Sequence, residues 1–429
     1  MSLPITAKIN KIGHLEIGGC DTVSLAAEYG TPLYVVDEAT IRSKVKAYTS
    51  ALKTHYPNSQ IIFASKALSV VGVLKVIAEE GAGFDVSSAG ELLTAIKAGA
   101  EPEKIYFHGN NKSRDEVQRA LDSGVGRIVV DSMDELEMLD EVTKETGIKA
   151  KILLRINPGI EAHTHAYIKT GQTDSKFGIQ KNRVMEAVMM AVKMRNIEFL
   201  GLHAHIGSQI LKFEGFLAEI DTLMCLAKEI SRDLNASVGE INIGGGLGIS
   251  YTKEKEPDIG RFVKSVSARL KKSAKKLGLA GPKLLIEPGR SIAGQAGITL
   301  YSAGNIKDIP KIRKYVSVDG GMGDNIRPAL YGAKYSAVVA NRMKDTTKEK
   351  ITIAGRYCES GDILIKDIRL PKISRGDVIA VLCTGAYGYT MANNYNKVPR
   401  PAVIMVSEGR ANVILRRETI EDMLKNDVI

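Results

Sequence analysis

Between residues 61 and 287 the chain alternates eight short apolar or β-branched runs with stretches that show helical spacing of their apolar residues. The runs are 61–65, 84–88, 105–108, 127–131, 151–157, 199–205, 240–244 and 283–287. Helical periodicity predicts helices over 71–80, 90–98, 114–123, 133–146, 183–194, 213–234 and 261–277. Parallel strands need such crossovers, and eight βα units close on themselves around a packed interior. The fold class is therefore an α/β barrel of the TIM type, over residues 37–290. After residue 290 long helices stop, and Gly and Pro punctuate strand-like runs at 315–318, 351–354, 377–383, 402–407 and 411–416. With strand-like 15–17 and 33–36, residues 1–36 and 291–429 are expected to form a mainly antiparallel, sandwich-like β domain built from both chain ends.

Composition narrows the class further. A hydrophobic share of 44% with 25% charged residues is that of a soluble globular protein. The start of the chain lacks a signal-peptide core and no window is long and apolar enough for a membrane span, so a cytoplasmic location is expected. The four cysteines have no CxxC spacing, which leaves disulfide and metal readings without support. The 59 basic residues against 49 acidic ones give a net charge of +10, but the excess sits in short clusters such as Lys271-Lys272 and Lys275-Lys276. Those suit a solvated helix face better than a nucleic-acid surface. His163 and His165 have a tempting spacing, yet no cysteine or carboxylate set accompanies them, and no metal is expected.

Chemistry in a βα barrel collects at the carboxyl ends of the strands. Lys66, His205, Gly244 to Gly246 and Glu287 all fall there. Singly, Lys66, His205 and the glycine run have ordinary readings as a surface lysine, a hydrogen-bonded core histidine and a tight turn. Together they suit pyridoxal 5′-phosphate (PLP). A lysine amine forms an imine with an aldehyde, and burial after an apolar run would favour its reactive neutral form. Adjacent glycines let backbone N–H groups approach phosphate, although the run is not a GxGxxG dinucleotide fingerprint. A carboxylate beside a pyridine nitrogen strengthens the ring as an electron sink, and an imidazole can stack on its face.

Longer motifs agree in order along nearly the whole chain. They are Phe63-Ala64-Ser65-Lys66-Ala67, Gly83-Phe84-Asp85-Val86-Ser87-Ser88, Asp174-Ser175-Lys176-Phe177-Gly178, His203-Ala204-His205-Ile206-Gly207-Ser208-Gln209, Glu287-Pro288-Gly289-Arg290-Ser291, Asp319-Gly320-Gly321-Met322, Arg327-Pro328-Ala329-Leu330-Tyr331, Cys358-Glu359-Ser360-Gly361-Asp362 and Gly385-Ala386-Tyr387-Gly388. The sequence resembles the alanine-racemase-fold (fold type III) PLP-dependent decarboxylases, and within them the diaminopimelate decarboxylase family. The resemblance implies release of carbon dioxide from meso-2,6-diaminopimelate to give L-lysine. It also implies Lys66 as the cofactor lysine, His205 stacked on the ring, Glu287 on the pyridine nitrogen, and Ser208, Gly245, Gly246, Gly289, Arg290 and Tyr387 around the phosphate. Arg290, Arg327, Tyr331 and Tyr387 would hold substrate, Glu359 would read its distal ammonium, and Cys358 would protonate the carbanion from the second subunit of a homodimer. Neither nucleic acid nor membrane is an expected partner. Related decarboxylases of carboxynorspermidine, ornithine or arginine, an amino-acid racemase and a non-catalytic PLP-binding homologue are the alternatives.

Overall fold

The structure is a computed structural model that describes residues 2–160 and 175–428. The chain divides into two compact units, one of Lys44–Gly248 with Glu256–Gly289 and one of Met1–Ser43, Ile249–Lys255 and Arg290–Ile429.

The first unit is a closed barrel of eight parallel strands: β1 (Ser59–Ala64), β2 (Gly83–Val86), β3 (Ile105–Phe107), β4 (Arg127–Val130), β5 (Ala150–Asn157), β6 (Ile197–His203), β7 (Glu240–Asn242) and β8 (Lys283–Ile286). Strand β8 pairs with β1 and β4 with β5, so no edge is left open. Helices α1 (Val71–Glu79), α2 (Ala89–Lys97), α3 (Arg114–Asp122), α4 (Met133–Thr146), α5 (Val184–Lys193), α6 (Glu214–Leu234) and α7 (Ile259–Leu277) fill the crossovers. The sequence places serines where strand exits turn into helices. Ser88 caps α2, Ser132 caps α4, and Ser113 forms a reciprocal capping box with Glu116 at the start of α3. Glycines Gly147 and Gly278 end α4 and α7 in the left-handed conformation.

Ile62, Tyr106, Val129, Leu153 and Leu285 form the plug of the barrel, packed with Leu200. Side chains alternate along a strand, so two residues further on the same strands present Ala64, His108, Asp131, Arg155 and Glu287 to the same interior. One more step from Ala64 reaches Lys66. The apolar plug and the polar rim above it are thus one consequence of period-two strands.

The second unit holds a nine-stranded sheet centred on Gly297–Ile309, which pairs antiparallel with Leu33–Asp37, Arg313–Val318 and Val378–Val381. Two pairings are parallel, Leu33–Asp37 with Ala402–Ser407 and Arg313–Val318 with Glu349–Ala354, so the sheet is mixed though mainly antiparallel. Residues Leu15–Ile17 do not join it; they form a separate three-stranded sheet with Lys8–Ile9 and Cys20–Asp21.

Candidate active site

At the mouth of the barrel the Glu287 carboxylate is 4% exposed and accepts three hydrogen bonds. Its donors are His108 Nε2 at 2.9 Å, Asn242 Nδ2 at 2.8 Å and His203 Nε2 at 3.3 Å. The two imidazoles meet edge to face, with centroids 4.8 Å apart. Burial alone would push the Glu287 carboxyl up, but the two histidines and their hydrogen bonds outweigh it and hold the group well below the usual carboxylate range. His203 is itself kept neutral, its pKa brought down to about 4, chiefly by burial. His108, His203 and Glu287 carry the donor atoms of a cation site, all within 4.8 Å of one another. The hydrogen bonds from the two imidazoles occupy both carboxylate oxygens and hold Glu287 in place.

Lys66 Nζ lies 3.3 Å from the Asp85 carboxylate, and Asp85 is fully buried at the end of β2. The lysine side chain is 46% exposed although its neighbours Ser65 and Ala67 are buried, so the burial expected of it is not found and the amine is open to an incoming aldehyde. Gly289 packs against Ala64 and Ala67, where an added Cβ would meet both methyl carbons at 3.0 Å, and this seats the end of β8 beside the lysine turn. His205 is half-buried. Burial first, then the Lys66 and Arg155 cations, hold it well below the ordinary histidine value, so it is neutral. Arg155 is fixed between Asp131 at 3.4 Å and the face of Phe177 at 4.4 Å.

The glycine run is needed for packing before any ligand is considered. A Cβ on Gly245 would come within 2.0 Å of the Glu287 carbonyl oxygen, and one on Gly246, at φ +114°, within 2.2 Å of the Gly207 carbonyl oxygen. Among the described residues, no protein acceptor takes the Gly245 or Gly246 N–H. Two adjacent unclaimed amides on close-packed glycines form a ready anion cradle.

In the β unit, Arg290 and Arg327 are both buried. Arg290 Nη1 donates to Tyr251 Oη at 2.5 Å and its guanidinium stacks 4.7 Å above the Tyr387 ring. Tyr387 itself sits at φ +59°, a backbone state that side chains avoid unless packing fixes it. Arg327 opens a short helix, Arg327–Tyr331, and its Nη1 donates to Tyr251 Oη at 3.1 Å and Tyr335 Oη at 2.6 Å. Cys358 and Glu359 are exposed, on a loop anchored where Asp362 accepts from Met322 N at 2.7 Å and Tyr357 N at 2.8 Å.

Residues 38–294 match the family model described as pyridoxal-dependent decarboxylase, pyridoxal binding domain. The chain is 48% identical to a diaminopimelate decarboxylase of Bacillus subtilis, covering 100% of this chain and 98% of the relative. This chain belongs to the diaminopimelate decarboxylase family. A Synechocystis diaminopimelate decarboxylase is 45% identical, with 100% of this chain and 93% of the relative covered. The solved diaminopimelate decarboxylase of M. jannaschii in complex with L-lysine superimposes at TM-score 0.94 and 34% identity, over 100% of this chain and 99% of that one. The Helicobacter pylori enzyme with L-lysine gives 0.88 and 32%, over 94% and 98%. The cofactor of the family is PLP, and the barrel of this member suits it. It offers an accessible amine, a buried carboxylate fixed by three donors, a neutral imidazole and two unclaimed glycine amides.

Of the residues that motif reading singled out, the barrel rim brings together Lys66, His205, Gly245, Gly246, Glu287 and Gly289. Ser208 is half-buried on the His205 loop. Arg290, Arg327 and Tyr387 gather in the β unit around Tyr251. Tyr331 is half-buried and, among the described residues, makes no hydrogen bond to Arg327; Tyr335 takes that place. Sequence reading passed over His108, Asn242 and the side chains of Asp85, Arg155 and His203. Counting in steps of two from the plug residues reaches His108 and Arg155, whereas Asp85, Asn242 and His203 show only once the barrel is closed. His163, His165 and Asp174 lie outside the described residues. No helix among them is long and apolar enough to cross a membrane.

Proposed function

We propose that this protein decarboxylates meso-2,6-diaminopimelate to L-lysine and carbon dioxide, the closing step of lysine biosynthesis, as a PLP-dependent carboxy-lyase. The observation that carries the substrate assignment is Arg327. Its guanidinium is 6% exposed, and among the described residues no carboxylate pairs with it. A buried cation left with phenol partners calls for an anion from elsewhere. A substrate with a second, unreacting carboxylate answers that need, whereas ornithine or arginine would bring a second cation.

PLP, when bound, supplies an electron-accepting ring for the pair left behind when carbon dioxide departs. The chain's own residues do the rest. Lys66 would hold the cofactor through its amine and give way to the substrate amine, with the Asp85 carboxylate 3.3 Å from its nitrogen. Glu287, fixed as an anion by His108, His203 and Asn242, keeps a proton on the ring nitrogen. His205 would stack on the ring face, while Ser208, Gly289 and the Gly245 and Gly246 amides would hold the phosphate. Arg290 and Arg327, with Tyr331 and Tyr387, grip and align the distal carboxylate, a task that suits planar, permanently charged groups. Cys358 returns a proton to the α-carbon and Glu359 reads the distal ammonium. Both are exposed in the single chain, which accords with their being supplied to the site of a second copy in a homodimer.

Purified protein with added PLP, given meso-diaminopimelate, carboxynorspermidine, L-ornithine and L-arginine in turn, should release carbon dioxide fastest from diaminopimelate. Equal or faster release from ornithine or arginine would refute the assignment, and uptake of PLP without turnover of any of the four would indicate a silent homologue.

A further inference from the structure

Tyr251 and Tyr335 belong to none of the motifs above, yet they form the floor on which the two arginines rest. Tyr251 Oη accepts from Arg290 Nη1 at 2.5 Å and from Arg327 Nη1 at 3.1 Å, and Tyr335 Oη accepts from Arg327 Nη1 at 2.6 Å. Both phenols are buried, and their rings meet edge to face at 5.3 Å and 82°. The Tyr251 backbone is pinned as well, since its N–H donates to Glu254 at 3.1 Å and its carbonyl accepts from Ser336 Oγ at 3.0 Å.

Counting donors and acceptors gives the cluster its direction. An arginine can only donate, so both phenol oxygens are used as acceptors, which leaves each O–H proton to be given elsewhere. Among the described residues no acceptor takes either proton, and Arg327 Nε also has no partner. Burial raises Tyr335 to about 12 against the pull of Arg327, so its proton is present at neutral pH. Around Arg327 there is therefore a surplus of buried donors, its Nε and the two phenol O–H groups, and among the described residues no carboxylate on the Arg327 guanidinium.

We infer that Tyr251 and Tyr335 are carboxylate-binding, specificity-determining residues. Each takes a hydrogen bond from Arg327 and passes its own O–H to the oxygens of an anion, so that the arginine pair and the phenols make one preformed receptor for the substrate's unreacting carboxylate. This rests on the decarboxylase reading above and deepens it by naming residues that the family motifs leave unassigned.

Tyr335→Phe and Tyr251→Phe remove one hydroxyl each and keep the ring. Each variant, and Arg327→Ala, is to be assayed with meso-diaminopimelate for kcat and KM, with L-lysine as a competing ligand, and with PLP for cofactor affinity. Each Tyr→Phe change should raise KM and the L-lysine inhibition constant about tenfold, one hydrogen bond to a charged group. Both kcat and PLP affinity should stay within about twofold of native. Unchanged KM in both variants overturns the inference. So does a loss of PLP affinity at unchanged KM, which would assign the donors to phosphate. Should Tyr251→Phe not fold, Tyr335→Phe decides alone. If Arg327→Ala also leaves KM unchanged, the substrate assignment falls; if it raises KM while neither phenylalanine variant does, only the role of the phenols falls.

Discussion

Replacing Glu287 by glutamine isolates the contribution of one negative charge. The native carboxylate receives His108 and Asn242 on Oε1 and His203 on Oε2. An amide oxygen in the Oε1 place keeps the first two bonds. The amide NH2 then faces His203, which is neutral, its pKa held at about 4 mainly by burial, and can offer a nitrogen lone pair. The network and the fold should survive, so what is lost is charge. A full charge about 4 Å from a cationic ring nitrogen is worth about 4 kcal/mol at an effective dielectric of 20. That is about three pKa units on the ring nitrogen, and if the barrier follows it in full, about a thousandfold in rate. Glu287→Gln should therefore keep its PLP and its KM within a few-fold while kcat for carbon dioxide release falls about a thousandfold. A kcat within tenfold of the native value would refute the claim that this carboxylate tunes the ring.

Other sites yield further expectations. Lys112 is buried with Nζ on Gly109 O, Val129 O and Glu135 Oε1 at 2.8, 2.7 and 2.6 Å, so Glu135→Ala should destabilise the barrel by about 3–5 kcal/mol. Thermal melts would read this, and adding Lys112→Met should restore more than half of the loss; a double variant worse than the single one would refute the pairing. Glu219, on α6, is fully buried with neither carboxylate oxygen hydrogen-bonded, and burial raises it well above its ordinary 4.5. An acid whose folded pKa is raised stays protonated while the unfolded chain ionises, so it costs stability progressively above pH 4.5, by about 1.4 kcal/mol per pH unit. Glu219→Gln should accordingly raise the melting temperature more at pH 8 than at pH 5, and a gain independent of pH would contradict that reading.

The barrel was legible because its units carry two signals at once, an apolar run and a following helical period, and strand edges deviate by at most two residues. The strand Gly297–Ile309 was missed because its second half runs out to exposed Lys307 and Asp308 past a register shift between Ala303 and Ile306, which hides the alternation. Lys66 and Glu287 were found through their motifs. His108, Asp85 and Asn242 were not, because a polar residue at a strand end looks like any loop residue until barrel closure shows which strands face it. Tyr251 and Tyr335 escaped for a different reason. Tyr251 lies 39 and 76 residues from Arg290 and Arg327 in sequence, so only the fold brings them together, and Tyr335, 8 residues after Arg327, lies just past the end of the Arg327 to Tyr331 motif.

The central claim is that the Lys66 amine holds the cofactor at the barrel mouth. The visible absorbance of PLP-treated Lys66→Ala, compared with native protein, tests it most directly. Native protein should show a visible lysine-bound cofactor band, and the variant should lack it. Retention of that band in Lys66→Ala would contradict it.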